Sequence, residues 1–209
     1  MALSSSHDLQ QPRKSIFTFP RPNDREARCR GSLFSPVRSF VTSYLGPDRW
    51  EELLNNVEPG ARAIWQTEFD ALSWYPFWAI SAALDAMVIL PDIPPDTIRK
   101  LAYHNLDRAT NLIFRAIFKV GSPEFMVSKS DQVWNKYYST GTMRVAQASK
   151  GSAVIQLIDF PEITPNYNRV VLHGIEAVIV KAGGRIKREE ITRSIHRGDE
   201  CCEYTFAWF

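Results

Sequence analysis

The stretch Thr142–Phe160, TMRVAQASKGSAVIQLIDF, decides the fold. Upstream of Gly141 the apolar residues recur every three or four positions, as on a helix face. From Thr142 they alternate, as on a half-buried strand. The sequence SKG in the middle reads as a hairpin turn between two antiparallel strands. Downstream, a helical period returns over residues 166–182, ended by Gly183 and Gly184, with Val171, Gly174, Ile175, Val178 and Ile179 on the buried stripe. A glycine inside a helix costs about 1 kcal/mol relative to alanine, so Gly174 is expected where the helix approaches the sheet closely. Two further strands flank RGDE at residues 197–200. The expected fold is α+β: a helical N-terminal half packed on a four-stranded antiparallel sheet built as ββαββ.

The last strand carries the cysteines. In CCEYTFAW, Cys202, Tyr204, Phe206 and Trp208 share one face, and Cys201, Glu203, Thr205 and Ala207 share the other. Adjacent strand residues point apart and cannot easily bite one metal ion. Pairing Ile195 with Cys202 and Ile191 with Phe206 leaves Gly198 and Asp199 as a two-residue turn, and makes Cys202 a structural core residue. Cys201 then faces His196, a thiol beside an imidazole, the weak candidate for a metal or redox role. Two ligands do not close a zinc site, so no metal is expected.

In the helical half, FSPVRSFVTSYLGPDRWEELLNNV reads as two short helices broken at Gly46, with helical character continuing through GARAIWQTEFDAL. SWYPFWAISAALDAMVIL reads as a buried helix capped by Ser73, with Pro76 in its first turn. Its apolar run is interrupted by Ser81 and Asp85, so it is no membrane span. Residues 95–120 form the next helix, with Ile98, Leu101, Ala102, Ala109, Leu112, Ile113, Ala116 and Ile117 on one face. Lys100, His104, Asp107, Arg108 and Asn111 lie opposite. In GSPEF, Gly121 closes that helix and Ser122 caps another running through Trp134 to Gly141.

The chain has 209 residues, 44% of them hydrophobic, enough for one domain at 31–209. Residues 1–30 lack periodicity and read as a disordered leader. The N-terminus carries no apolar signal segment and the chain has only three cysteines, so a reducing, cytoplasmic setting is expected. A net charge of +2 gives no case for a nucleic-acid partner.

GSLFSPVRSFVTSYLGPDRWEELL, SWYPFWAI, SPEFMVSKSDQVWNKYYSTGTMRV and the ending HRGDECCEYTFAW resemble a myxobacterial paralogous family related to the heme-nitric-oxide-binding and 4-vinyl-reductase ligand-binding domains, a fold shared with trafficking-particle subunits. The resemblance covers residue 31 to the end and implies an apolar pocket between helices and sheet, used for heme, aromatic effectors, tetrapyrroles or lipid chains. Zinc-bearing relatives bracket the last hairpin with cysteines. Here Cys202 matches, but Ser194 stands eight residues earlier. Heme-binding relatives use a helix histidine and a Y-x-S-x-R motif. His104 is the candidate histidine and Tyr137 and Ser139 match, but Gly141 replaces the arginine and Arg144 falls late. The periodicity puts His104 on the polar face as a solvated residue, so heme is not expected.

His173, near Arg169 and Glu176, is expected on a solvated edge. The run KREE at 187–190 reads as an exposed strand edge. No nucleophile elbow, phosphate loop, dinucleotide fingerprint or H-E-x-x-H occurs, so no enzyme is expected. Trp65, Phe69, Trp74, Tyr75, Phe77, Trp78, Phe114, Phe118, Phe125, Trp134, Tyr137 and Tyr138 all fall in the helical half. Of these, Trp74, Tyr75, Trp78, Phe114, Phe118 and Trp134 are the candidate ligand pocket. The leading expectation is a non-enzymatic cytoplasmic ligand-binding or sensory module for a small apolar molecule, signalling to a partner protein or as a homodimer. A ligand-free adaptor of the same fold is the alternative. A tetrapyrrole-handling enzyme, for which the chain shows no hydride-donor site, is third.

Overall fold

A computed structural model describes residues 26–109 and 121–209. In chain order they form β1 (Arg28–Arg30), α1 (Phe34–Phe40), α2 (Pro47–Asn55), α3 (Pro59–Trp65), β2 (Trp74–Pro76), α4 (Phe77–Val88), α5 (Thr97–Ala109), α6 (Pro123–Val127), α7 (Ser130–Tyr137), β3 (Thr142–Ser149), β4 (Ser152–Ile158), α8 (Pro165–Lys181), β5 (Ile186–Arg193) and β6 (Cys202–Trp208). This is the expected α+β fold. Proline occupies the first turn of α2, α3, α6 and α8, where a missing N–H costs nothing. Ser122 and Thr164 cap α6 and α8, their hydroxyls accepting from Phe125 N at 3.2 Å and Tyr167 N at 3.3 Å.

The main sheet is antiparallel in the order β3-β4-β6-β5. The alternation of the last strand holds: Cys202, Tyr204, Phe206 and Trp208 are buried against Leu157, Ile155 and Ala153 of β4. On this face the Tyr204 hydroxyl donates to Asn168 Oδ1 at 2.5 Å, tying β6 to α8. The opposite face is a polar ladder. There Arg144 Nη2 donates to Gln156 Oε1 at 2.7 Å and Gln156 Nε2 donates to Glu203 Oε2 at 2.6 Å. The aromatic core of the helical half packs Trp65, Phe34, Phe69 and Tyr75 ring against ring.

Several expectations move. Arg28–Arg30, assigned to the leader, pair with Trp74–Pro76, and the rest of the leader before residue 26 lies outside the described residues. Ser73 does not cap α4. The residue before a proline is driven out of the helical region, so Tyr75 and Pro76 extend and α4 begins at Phe77. The single helix expected from Ser122 to Gly141 is broken into α6 and α7. Ser128 and Ser130 donate their hydroxyls back to Phe125 O and Val127 O, competing with the helical ladder.

The register of the last hairpin also differs. Ile191 pairs with Tyr204 and Glu189 with Phe206, and the connection is a 3-10 turn at Ile195–Arg197 closed by Gly198 at φ 87°. Ser194 decides this. Its hydroxyl accepts from His196 N and its N–H donates to Asp199 Oδ2 at 2.7 Å, so the chain leaves the ladder at Arg193. His196 is therefore exposed in the turn and does not face Cys201 across the strands.

Candidate functional site

A cavity of about 220 Å³ lies where α5, α7 and α8 meet. α5 contributes Ala102, Asn105 and Leu106. α7 contributes Ser130, Val133, Trp134 and Tyr137. α8 contributes Tyr167, Val170, Val171, Gly174, Ile175 and Val178. Ile80 and Leu84 of α4, Leu33, Val37, Met126, Val127, Tyr138 and Met143 complete the described wall. It is apolar except for a few groups, most of which are partnered. Tyr138 and Tyr167 share a hydrogen bond of 2.6 Å, and Trp134 Nε1 donates to Thr140 O at 2.9 Å. The Trp134 ring stacks on Tyr138 at 3.8 Å. Burial pushes both phenols well above their usual range, so they are neutral.

Gly174 serves this cavity and not a close approach to the sheet. Among the described residues, nothing outside its own helix lies within 4 Å of where its Cβ would stand. The void is open there because α8 lacks a side chain at a position where every neighbour on the stripe has one.

Of the six candidate pocket aromatics, Trp134 lines the cavity, and Phe114 and Phe118 lie outside the described residues. The other three serve elsewhere. Arg30 stacks over Trp74 at 3.9 Å, and Tyr75 packs on Phe34 and Phe69. Trp78 is 36% exposed, donating to Glu26 Oε1 at 3.0 Å. The sequence reading missed Tyr167, Met143 and Asn105 as wall residues. For Asn105 a signal existed: it stands seven, four and three positions after Ile98, Leu101 and Ala102, so it is a polar residue on the apolar stripe of α5.

His104 points elsewhere. Its Nε2 lies 2.7 Å from Ser39 Oγ and its ring meets the edge of Phe40, so it is half-buried and not solvated as expected. Burial, with Arg108 adding to it, lowers its pKa, which favours the neutral ring. Gly141, where the family's arginine would stand, adopts φ 74°, and a Cβ there would come within 2.9 Å of the Phe160 side chain. Arg144 lies on the opposite face of the sheet from the cavity, the consequence of strand alternation after Met143.

His173 on α8, expected on a solvated edge, is also corrected. It is mostly buried, with Nδ1 at 2.8 Å from Glu176 Oε2 and 3.7 Å from Glu189 Oε1. The fully buried Glu176 also accepts from Tyr103 at 2.7 Å and pairs with Arg99. The ligating atoms of His173, Glu176 and Glu189 lie within 4.8 Å of one another. Both oxygens of Glu176 are already occupied by donors, so the group reads as an ion-pair network joining α5, α8 and β5. Burial acts to raise the Glu176 pKa, but the bonds from His173, Tyr103 and Arg99 outweigh it and hold it at about 2. Glu189 is raised, by burial and by the neighbouring Glu176 charge. Cys201 is buried and its thiol is pushed up by that burial, which argues against an activated nucleophile.

Among the described residues no helix is long and apolar enough to cross a membrane. The sequence matches no protein-family profile and no curated protein. Solved structures do match. An H-NOX protein from S. oneidensis in the Fe(II)NO state has a TM-score of 0.66 at 12% identity, covering 86% of this chain and 99% of that one. The unliganded Fe(II) H-NOX protein from K. algicida gives 0.66 at 11%, covering 86% and 96%. A structure from a study of heme distortion in the H-NOX family gives 0.62 at 11%, covering 86% and 94%. The chain shares the fold of these domains.

Proposed function

We propose that the chain is a non-enzymatic ligand-binding domain of the sensory kind, holding one small organic molecule in the cavity between α5, α7 and α8. The cavity itself carries the reading. An apolar cavity of this size, partly open with Val133 of its wall exposed, has room for a small ligand, since an engineered cavity of about 150 Å³ takes up benzene. A ligand-free adaptor of this fold would have no use for such a void. Occupancy would change how α5 packs on α8, and that change would pass to a partner protein or a second copy of the chain.

Heme is the group the fold neighbours imply, and the residues present do not suit it. Three of the four histidines lie in the described residues, and none lines the cavity. His104 is turned to Ser39, Arg144 is on the far side of the sheet, and Gly141 has no room for a side chain. The cavity among the described residues, about 220 Å³, is about half again the roughly 150 Å³ that takes up one benzene, which is small for a four-ring macrocycle.

Native mass spectrometry of protein purified from its own cells, with a visible spectrum of the same sample, tests the reading. The expected result is a single small organic adduct and no Soret band. A stoichiometric Soret band would overturn it, as would an empty protein whose melting temperature no bicyclic apolar compound raises.

A further inference from the structure

The described wall of the cavity holds one unmet polar requirement. Asn105 Oδ1 is buried and has no hydrogen-bond partner, and it is the only such side-chain atom among the described wall residues. Four other polar side chains of the wall are satisfied within the protein, Tyr138 and Tyr167 by each other, Trp134 by Thr140 and Ser130 by Val127, and the Tyr137 hydroxyl is not a buried unpartnered atom. Buried acceptors in native proteins are almost always paired, because leaving one dry forfeits its hydration without return. Asn105 is also misplaced by local rules, a carboxamide on the apolar stripe of a helix, where leucine would pack without cost. No Lys, Arg, Asp, Glu or His stands among the described wall residues.

Resting on the cavity reading above, we infer that Asn105 is the specificity anchor of the site, and that the ligand is a neutral, roughly bicyclic apolar molecule bearing one hydroxyl or N–H group that donates to Asn105 Oδ1. The size follows from a void of about 220 Å³ against the roughly 150 Å³ that accommodates a single benzene ring. The neutrality follows from the described wall residues, none of which carries a charge that could pair with a buried charged ligand. Pockets of this kind take affinity from apolar walls and selectivity from a few placed polar groups.

The test is titration calorimetry with three probes of nearly equal shape: naphthalene, 2-naphthol and its methyl ether. Wild-type protein is expected to bind 2-naphthol about tenfold tighter than the ether, the usual worth of one neutral hydrogen bond. In Asn105→Leu the preference should disappear while naphthalene still binds. Probes that bind the wild type without a preference would overturn the anchor and leave the cavity reading standing. If none binds, the cavity reading falls and the anchor with it. The wild-type comparison of naphthol with its ether decides the matter even if the variant does not fold.

Discussion

The phenol oxygens of Tyr138 and Tyr167 stand 2.6 Å apart, joining the segment after α7 to the first turn of α8 across the cavity wall. Each hydroxyl is the other's partner, so removing one strands its neighbour. Tyr167→Phe and Tyr138→Phe should each cost about 1–2 kcal/mol in urea unfolding, and the double variant should cost less than their sum by about 1 kcal/mol. Strict additivity in the double-mutant cycle would show that the pair carries no coupling.

Gly174 sits in a helix interior with open space beyond it among the described residues. Gly174→Ala should raise stability by about 0.5–1 kcal/mol, because it removes backbone entropy from the unfolded chain. Gly174→Leu should fill the void, keeping or raising the melting temperature while abolishing binding of apolar probes. Thermal unfolding with and without 2-naphthol reads both effects. Unchanged probe binding in the leucine variant would place the ligand elsewhere.

The network of Arg99 and Tyr103 on α5, His173 and Glu176 on α8, and Glu189 on β5 predicts two opposite pH effects. Glu176 is depressed to about 2. Its contribution is complete above the unfolded carboxylate value of about 4.3 and is lost as pH falls toward 2. Glu189 is raised, so its penalty is absent below the unfolded value and grows as pH rises through the folded one. Glu189→Gln should therefore melt higher than wild type at pH 8, with the advantage vanishing near pH 4. Glu176→Gln should cost about 2–3 kcal/mol at pH 7, because it leaves Arg99 without its buried partner.

Cys29, Cys201 and Cys202 are all buried and free. Burial pushes the Cys29 and Cys201 thiols up. Native protein at pH 8 should resist iodoacetamide at all three, and unfolded protein should be alkylated at each, as read by intact mass. Rapid native labelling of Cys201 would restore the redox role that its burial argues against.

Residues governed by a local period or a local bond were legible in the sequence. Cys202, Tyr204, Phe206 and Trp208 share a buried face because strand side chains alternate, and Ser122 caps α6 because its hydroxyl reaches Phe125 N. The pocket was less legible. Trp74, Tyr75 and Trp78 cluster in sequence but face Arg30, the α1 core and solvent, since apolar walls and apolar cores draw on the same residue types. Gly174 stood out as anomalous, yet its helix position alone could not say whether a neighbour or a void lay beyond it.

The sequence by itself determined the α+β class, the change from helix to strand after Gly141, the Ser122 cap and the inward face of the last strand, because each depends on residues within a turn or two of one another. Only the tertiary structure decided that β6 enters between β4 and β5, that His173 and Glu176 meet Glu189, and that the side chains of α5, α7 and α8 leave a void at Gly174. Those outcomes rest on how side-chain volumes from distant segments fill shared space, and no local period encodes a gap between them.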